Sequence, residues 1–173
     1  TVGQDFEPYR QWFEGLGIPL EHVREVRKAF TAQAFITTDR DNNQITAFHP
    51  GAMAFSEQNH VADAAGIELG IIAPDGREGM LEHARELGAA GIPFIFDPGQ
   101  ALPLFNGEEF RAFIEAADYV AANSYEASLL SERTGWSESD IASKVKAYIV
   151  TRGADGSVIH AGGKVYEIPA AKP

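Results

Sequence analysis

Between Ile67 and Val150 short apolar runs alternate with stretches of helical spacing, and no other feature limits the fold so tightly. Residues 67–73 read as a strand, and Asp75 with Glu78 opens a helix carrying Met80, Ala84 and Leu87. Residues 92–96 are almost continuously apolar, the pattern of a strand covered on both faces of a parallel sheet. Asn106 and Glu109 form a capping box ahead of Phe110, Phe113 and Ile114. Residues 119–122 make the next strand, residues 124–133 and 137–146 make two helices parted at Gly135, and residues 147–150 close the series. A helix between successive strands supplies the crossover that parallel neighbours need. The order therefore predicts an α/β fold with a mostly parallel central sheet and helices on both faces. After Ala147 the pattern changes to antiparallel hairpins, with Gly162-Gly163 at a turn.

Upstream of this core the periodicities differ. Tyr9, Trp12, Phe13 and Leu16 recur at offsets of three and four, which predicts an amphipathic helix over residues 8–16 closed by Gly17. Residues 30–38 alternate in the strand manner, Asp39-Arg40-Asp41-Asn42-Asn43 is a polar turn, and residues 44–48 return as a second strand. In this hairpin Ala34 and Ile36 face one way while Gln33, Phe35 and Thr37 face the other. Both faces carry apolar groups, so both are expected to be covered. With 173 residues, 45% hydrophobic and 23% charged, the chain sustains one substantial core.

Fourteen Lys and Arg residues against 25 Asp and Glu leave a formal charge of −11. Such a surface repels nucleic-acid phosphates and anionic lipid headgroups, so neither nucleic acid nor membrane is the expected partner. No apolar run approaches the roughly 20 residues of a membrane span, and a cytoplasmic protein is expected. There is no cysteine, which removes disulfides and thiolate chemistry. The five histidines lie far apart in sequence, and none falls in a paired metal-ligand motif.

Two polar motifs follow strand ends. Asn123-Ser124-Tyr125-Glu126 opens a helix; it is a capping box, and it also sits at the electropositive end of that helix. Thr151-Arg152-Gly153-Ala154-Asp155-Gly156-Ser157 follows an apolar strand. Its glycines allow backbone N–H groups to converge on an anion, and equally allow an ordinary hairpin turn at Asp155-Gly156. In open α/β sheets ligands bind outside the carboxyl ends of strands, where Asp97, Asn123 and Thr151 all fall. Asp97-Pro98-Gly99 also reads as a plain turn.

The N-x-x-E element and the strand ending in T-x-G-x-x-G, in this order and spacing, resemble the PfkB family of sugar and nucleoside kinases with the ribokinase-like fold. Thr1-Val2-Gly3-Gln4-Asp5, Gly15-Leu16-Gly17-Ile18, Pro50-Gly51-Ala52, Ala73-Pro74-Asp75-Gly76 and residues 92–100 extend the likeness along nearly the whole chain. The bacterial adenosine kinase-like members are most similar. The resemblance implies a ribokinase-like three-layer sandwich, present in part: one incomplete domain over residues 1–173, with a β lid at about 30–49 and an α/β core at about 51–173. It implies ATP and Mg²⁺ as cofactors. Asn123 and Glu126 would organise Mg²⁺ through water, Thr151, Gly153 and Gly156 would line the ATP phosphates, and Gln33 and Phe35 on the lid would contact the acceptor. It permits a homodimer formed through the lids.

Two departures accompany the likeness. The family's Gly-Gly-x-x-x-Asn substrate motif and its Gly-x-Gly-Asp motif, which carries the catalytic base, do not occur here. The chain accordingly reads as the middle of a kinase, inactive by itself, with no catalytic base among its residues. The expected function of the complete protein is ATP-dependent phosphorylation of a primary hydroxyl of adenosine or a related nucleoside. A sugar kinase of ribose or fructose type is the near alternative, and a noncatalytic α/β binding module the distant one.

Overall fold

The computed structural model describes residues 1–171. A short strand β1 (Val2–Gly3) leads into helix α1 (Glu7–Gly15) and pairs in parallel with β2 (Glu25–Val26). The lid strands β3 (Gln33–Thr38) and β4 (Gln44–His49) form an antiparallel hairpin. The core then alternates: β5 (Gly70–Ile72), α2 (Arg77–Ala90), β6 (Phe94–Phe96), α3 (Gly107–Ala116), β7 (Tyr119–Asn123), α4 (Ser124–Thr134), α5 (Glu138–Lys144) and β8 (Ala147–Thr151). Strands β9 (Ser157–Ala161) and β10 (Lys164–Ile168) complete a six-stranded sheet of order β10-β9-β8-β7-β6-β5. Strands β5 to β8 are mutually parallel, and β9 and β10 add antiparallel neighbours.

That monotonic order decides where the helices go. Right-handed crossovers that all step in one direction place their helices on one face of the sheet. Helices α2 to α5 do pack there against one another, and not on both faces as the strand–helix pattern alone predicts. The face they cover carries Ile72, Phe94, Phe96, Val120, Ala122, Tyr148, Val150 and Val158, all buried. The opposite face carries Ile95, Tyr119, Ala121 and Ile149, half-buried, and Ile71, 62% exposed. Register fixes this division, because Ile71, Ile95 and Tyr119 are lateral partners, as are Ala121 and Ile149.

The core is aromatic at its centre. Phe96 stacks on Phe113 with ring centroids 4.6 Å apart, and Phe105 meets Phe113 edge-on at 5.1 Å. Helix α3 starts with the expected capping box: Asn106 accepts from Glu108 and Glu109 N–H at 2.9 and 3.0 Å, and Glu109 accepts from Asn106 N–H at 2.9 Å. Helix α2 departs from expectation. Its N-cap is Gly76, whose N–H donates to Asp75 Oδ1 at 2.7 Å, while Glu78 pairs with Arg77. Gly107 lies where α3 meets the end of α4, and a Cβ there would come within 2.0 Å of the Arg133 carbonyl oxygen. Gly107→Ala must push two helices apart, and is expected to cost about 1–3 kcal/mol in urea denaturation.

The lid is a free-standing hairpin. Every residue of β3 and β4 is exposed, so the expected cover on both faces is absent among the described residues. Its turn is locked by Asp39, whose carboxylate accepts from Asp41 N–H, Asn43 N–H and the Asn43 amide at 2.8–2.9 Å. Its roots are tied to the body. Asp5 accepts from the Thr31 N–H and hydroxyl at 2.7 and 2.8 Å, and Ala52 N–H donates to Phe30 O at 2.7 Å.

Candidate active site

Four neighbouring parallel strands end along one edge of the sheet, spaced by about 4.8 Å each. Asp75 follows β5, Asp97 follows β6, Asn123 ends β7 and Thr151 ends β8. Asn123 and Thr151 are direct register partners, so two motifs 28 residues apart in sequence become adjacent. The Ser124 hydroxyl donates to Thr151 O at 3.3 Å, joining the two strand ends.

The capping box at Asn123 is real. Asn123 Oδ1 accepts from Glu126 N–H at 2.9 Å and Glu126 Oε2 accepts from Asn123 N–H at 2.8 Å. That use orients Glu126 through Oε2 and leaves Oε1 outside the cap. Asp97, beside them, has its carboxyl raised above the ordinary range by burial first and by the charge of Glu126 second, with the Gly99 N–H partly offsetting both. Asp97 and Glu126, with Asn123 and Thr151 at the neighbouring strand ends, are oxygen-bearing groups of the hard kind that Mg²⁺ takes.

The hairpin between β8 and β9 is also real, with Thr151 opposite Ser157. Within its turn the N–H groups of Arg152, Asp155 and Gly156 donate to Gly156, Arg152 and Gly153 carbonyls. Only the start of the turn, at Gly153 and Ala154, is left to present N–H groups to an anion. Gly153 has φ of +57° in open space, whereas Gly156 at φ +91° packs so closely on the end of β10 that a Cβ would lie 1.9 Å from Ile168 O. Gly156 is thus required by the hairpin itself.

A cavity of about 800 Å³ opens between the lid and the carboxyl ends of β5 and β6. Thr46, Phe48 and Met53 line it from the lid side, and Asp75, Gln100 and Leu104 from the core. Phe48 and Thr46 share a face with their register partners Ala34 and Ile36. Gln33 and Phe35 lie on the opposite face, Phe35 being 64% exposed, so the structure does not bring them into this cavity. Sequence reading passed over Phe48, Asp75 and Gln100 as site residues. The alternation of β4 marks Phe48 as a partner of Ala34, but nothing local selects which lid face turns inward.

A β lid over an α/β sheet, a cavity of small-molecule size and polar side chains side by side at the strand ends make up the candidate site. The chain belongs to the pfkB family of carbohydrate kinases, whose pattern it matches over residues 1–173, and its fold is ribokinase-like. It is 52% identical to the nucleoside kinase of Burkholderia thailandensis, solved in complex with inosine; the TM-score is 0.92 over 98% of this chain and 56% of that one. The nucleoside kinase of Methanocaldococcus jannaschii, an archaeal member of the ribokinase family, is 33% identical over 99% of this chain and 57% of its own length. Its crystal structure superposes with a TM-score of 0.84. The chain spans little more than half the length of these relatives.

Proposed function

We propose that the complete protein is an ATP-dependent kinase that phosphorylates the primary hydroxyl of a purine nucleoside, adenosine or inosine. The observation that carries this reading is the adjacency of two unlike sites on one sheet edge. The cavity at β5 and β6 has the size of a small-molecule pocket, with Phe48, Met53 and Leu104 for an apolar base and Asp75, Gln100 and Thr46 for hydroxyls and base edges. The groups at β7 and β8 suit phosphates. Asn123 and Glu126 would hold Mg²⁺ through water, and Thr151 with the Gly153 N–H would meet the ATP phosphates. When bound, Mg²⁺ neutralises charge on the transferring phosphoryl group. The chain's own contribution is alignment, since phosphoryl transfer needs the acceptor oxygen, the phosphorus and the leaving oxygen held in line. Asp97 follows β6, the strand between the end of β5 at the cavity and the end of β7 at Asn123.

The inosine complex of the Burkholderia relative favours a nucleoside over a free sugar. No helix among the described residues is long and apolar enough to cross a membrane, and a cytoplasmic location, where ATP is available, belongs to the same reading. The outer lid face, with Phe35 64% and Ile45 79% exposed, is the surface through which two lids would pair in a homodimer. ADP release by the complete protein with Mg-ATP tests the function, with adenosine, inosine, ribose and fructose supplied separately. Turnover with a purine nucleoside and not with the sugars is expected; turnover with a sugar alone would overturn the acceptor, and none with any acceptor would overturn the kinase.

A further inference from the structure

Away from the strand ends, on the middle of α2, the fold assembles a group the sequence shows no sign of. Glu82 and Glu86 lie four residues apart, on one face of the helix. The segment after the 3₁₀ turn at residues 51–58 lies against that face, and it brings His60 there. One ring nitrogen of His60 and one oxygen of each carboxylate all lie within 4.8 Å of one another. A tetrahedral ion about 2.1 Å from each ligand needs them about 3.4 Å apart, which is inside that limit.

The geometry points to a divalent transition-metal site, of the Zn²⁺ class, formed by His60, Glu82 and Glu86. One imidazole with two carboxylates is a borderline donor set suited to Zn²⁺ and to its neighbours in the series. Glu86 is already oriented: its Oε2 accepts from the Val61 N–H at 2.7 Å, as an outer-shell bond would hold a ligand, and its Oε1 lies 2.7 Å from His60 Nδ1. A cation bound at Nδ1 takes the place of that hydrogen bond, with the ring proton then on Nε2. Glu82 is held by Arg85, at 2.5 and 3.1 Å, but the arginine is 66% exposed and water screens the pair. A second cavity, of about 860 Å³, opens beside His60 and Val61.

The site joins two elements that also wall the cavity under the lid. Met53 and Ala54 lie on the 51–58 turn and Arg77 and Glu78 on the first turn of α2, while His60 and Glu82 with Glu86 continue the same two elements. A bound cation clamps them together.

Zn²⁺ alone is the probe, titrated into metal-stripped protein by calorimetry and by thermal unfolding, with no dependence on kinase activity. Stoichiometric binding and a Zn²⁺-dependent rise in Tm are expected. Glu82→Gln and His60→Gln should each weaken binding at least about tenfold and abolish the Tm increment, while His83→Gln, whose ring meets Asn59 O, should change neither. Imidazole NMR provides a reading that needs no variant: the His60 ring nitrogens should shift on adding Zn²⁺ and those of His22, His49 and His160 should not. Absence of binding, binding unchanged in both ligand variants, or a shift confined to another histidine would overturn the site.

Discussion

Replacing Glu126 with glutamine in the complete protein is expected to lower Mg²⁺-dependent turnover about 10- to 100-fold while leaving stability nearly unchanged. The separation is expected because the cap and the proposed cation-holding role of Glu126 use different chemistry. The capping box requires only an oxygen acceptor at the third helical position, and a glutamine amide provides one for the Asn123 N–H. Holding a hydrated cation requires the negative charge, which glutamine lacks. The same substitution should be visible at Asp97, whose carboxyl would fall back toward its ordinary range once the second cause of its elevation is gone. The sign for stability follows. A carboxyl raised in the folded state opposes folding once it ionises, so that penalty is absent below the unfolded pKa and complete above the folded one. Removing the Glu126 charge relieves part of it on the neutral side of the Asp97 titration and changes nothing on the acid side. Steady-state kinetics with thermal unfolding, and a carboxyl NMR titration of Asp97, check both. Full turnover in a folded Glu126→Gln protein would leave the residue as a cap and no more.

Phe96→Ala is expected to destabilise the fold by about 3–5 kcal/mol, the range for removing a buried aromatic ring. Phe96 is fully buried, and its ring lies between Phe113, stacked at 4.6 Å and nearly parallel, and Phe110 at 6.4 Å. Neighbours on helix α3 are held by their own capping box and by close contact with α4, so they collapse poorly into the space left behind. For a domain of this size the midpoint should fall on the order of 10 °C, which thermal unfolding by circular dichroism measures. Phe96→Leu keeps most of the volume and should lose far less. Because Asp97 is the next residue, the alanine variant should also loosen the junction between the two sites. A change below about 1 kcal/mol would mean that the aromatic cluster is not the centre of the core.

What could be read along the chain was what depends on near neighbours. The capping boxes at Asn106 and Asn123 stand as the spacing predicts, since each links residues three apart and needs no other part of the protein. The lid hairpin over residues 33–49 and the turn at Asp39 follow from alternation and from one side chain bonding its own loop. The 3₁₀ segments at residues 51–58 and 99–104 were not legible, because they lack both the helical and the strand period and owe their form to packing. The start of α2 was misplaced for a similar reason: Asp75 bonds the adjacent Gly76 N–H, a contact that competes with the box its spacing with Glu78 suggests.

By itself the sequence determined the α/β class, the order of strands and helices, and the family, because periodicity, caps and motif order are all written locally. Only the tertiary structure decided which face of the sheet the helices cover, which face of the lid meets the cavity, and which distant residues meet. Strand order and crossover handedness set the first. Register sets the second, since one step along β3 or β4 exchanges Phe48's face for Phe35's. The third comes from connections that return the chain to its own surface: Asn123 meets Thr151 across a parallel ladder after the α4–α5 crossover, and His60 meets Glu86 across a helix surface, at separations that no local pattern encodes.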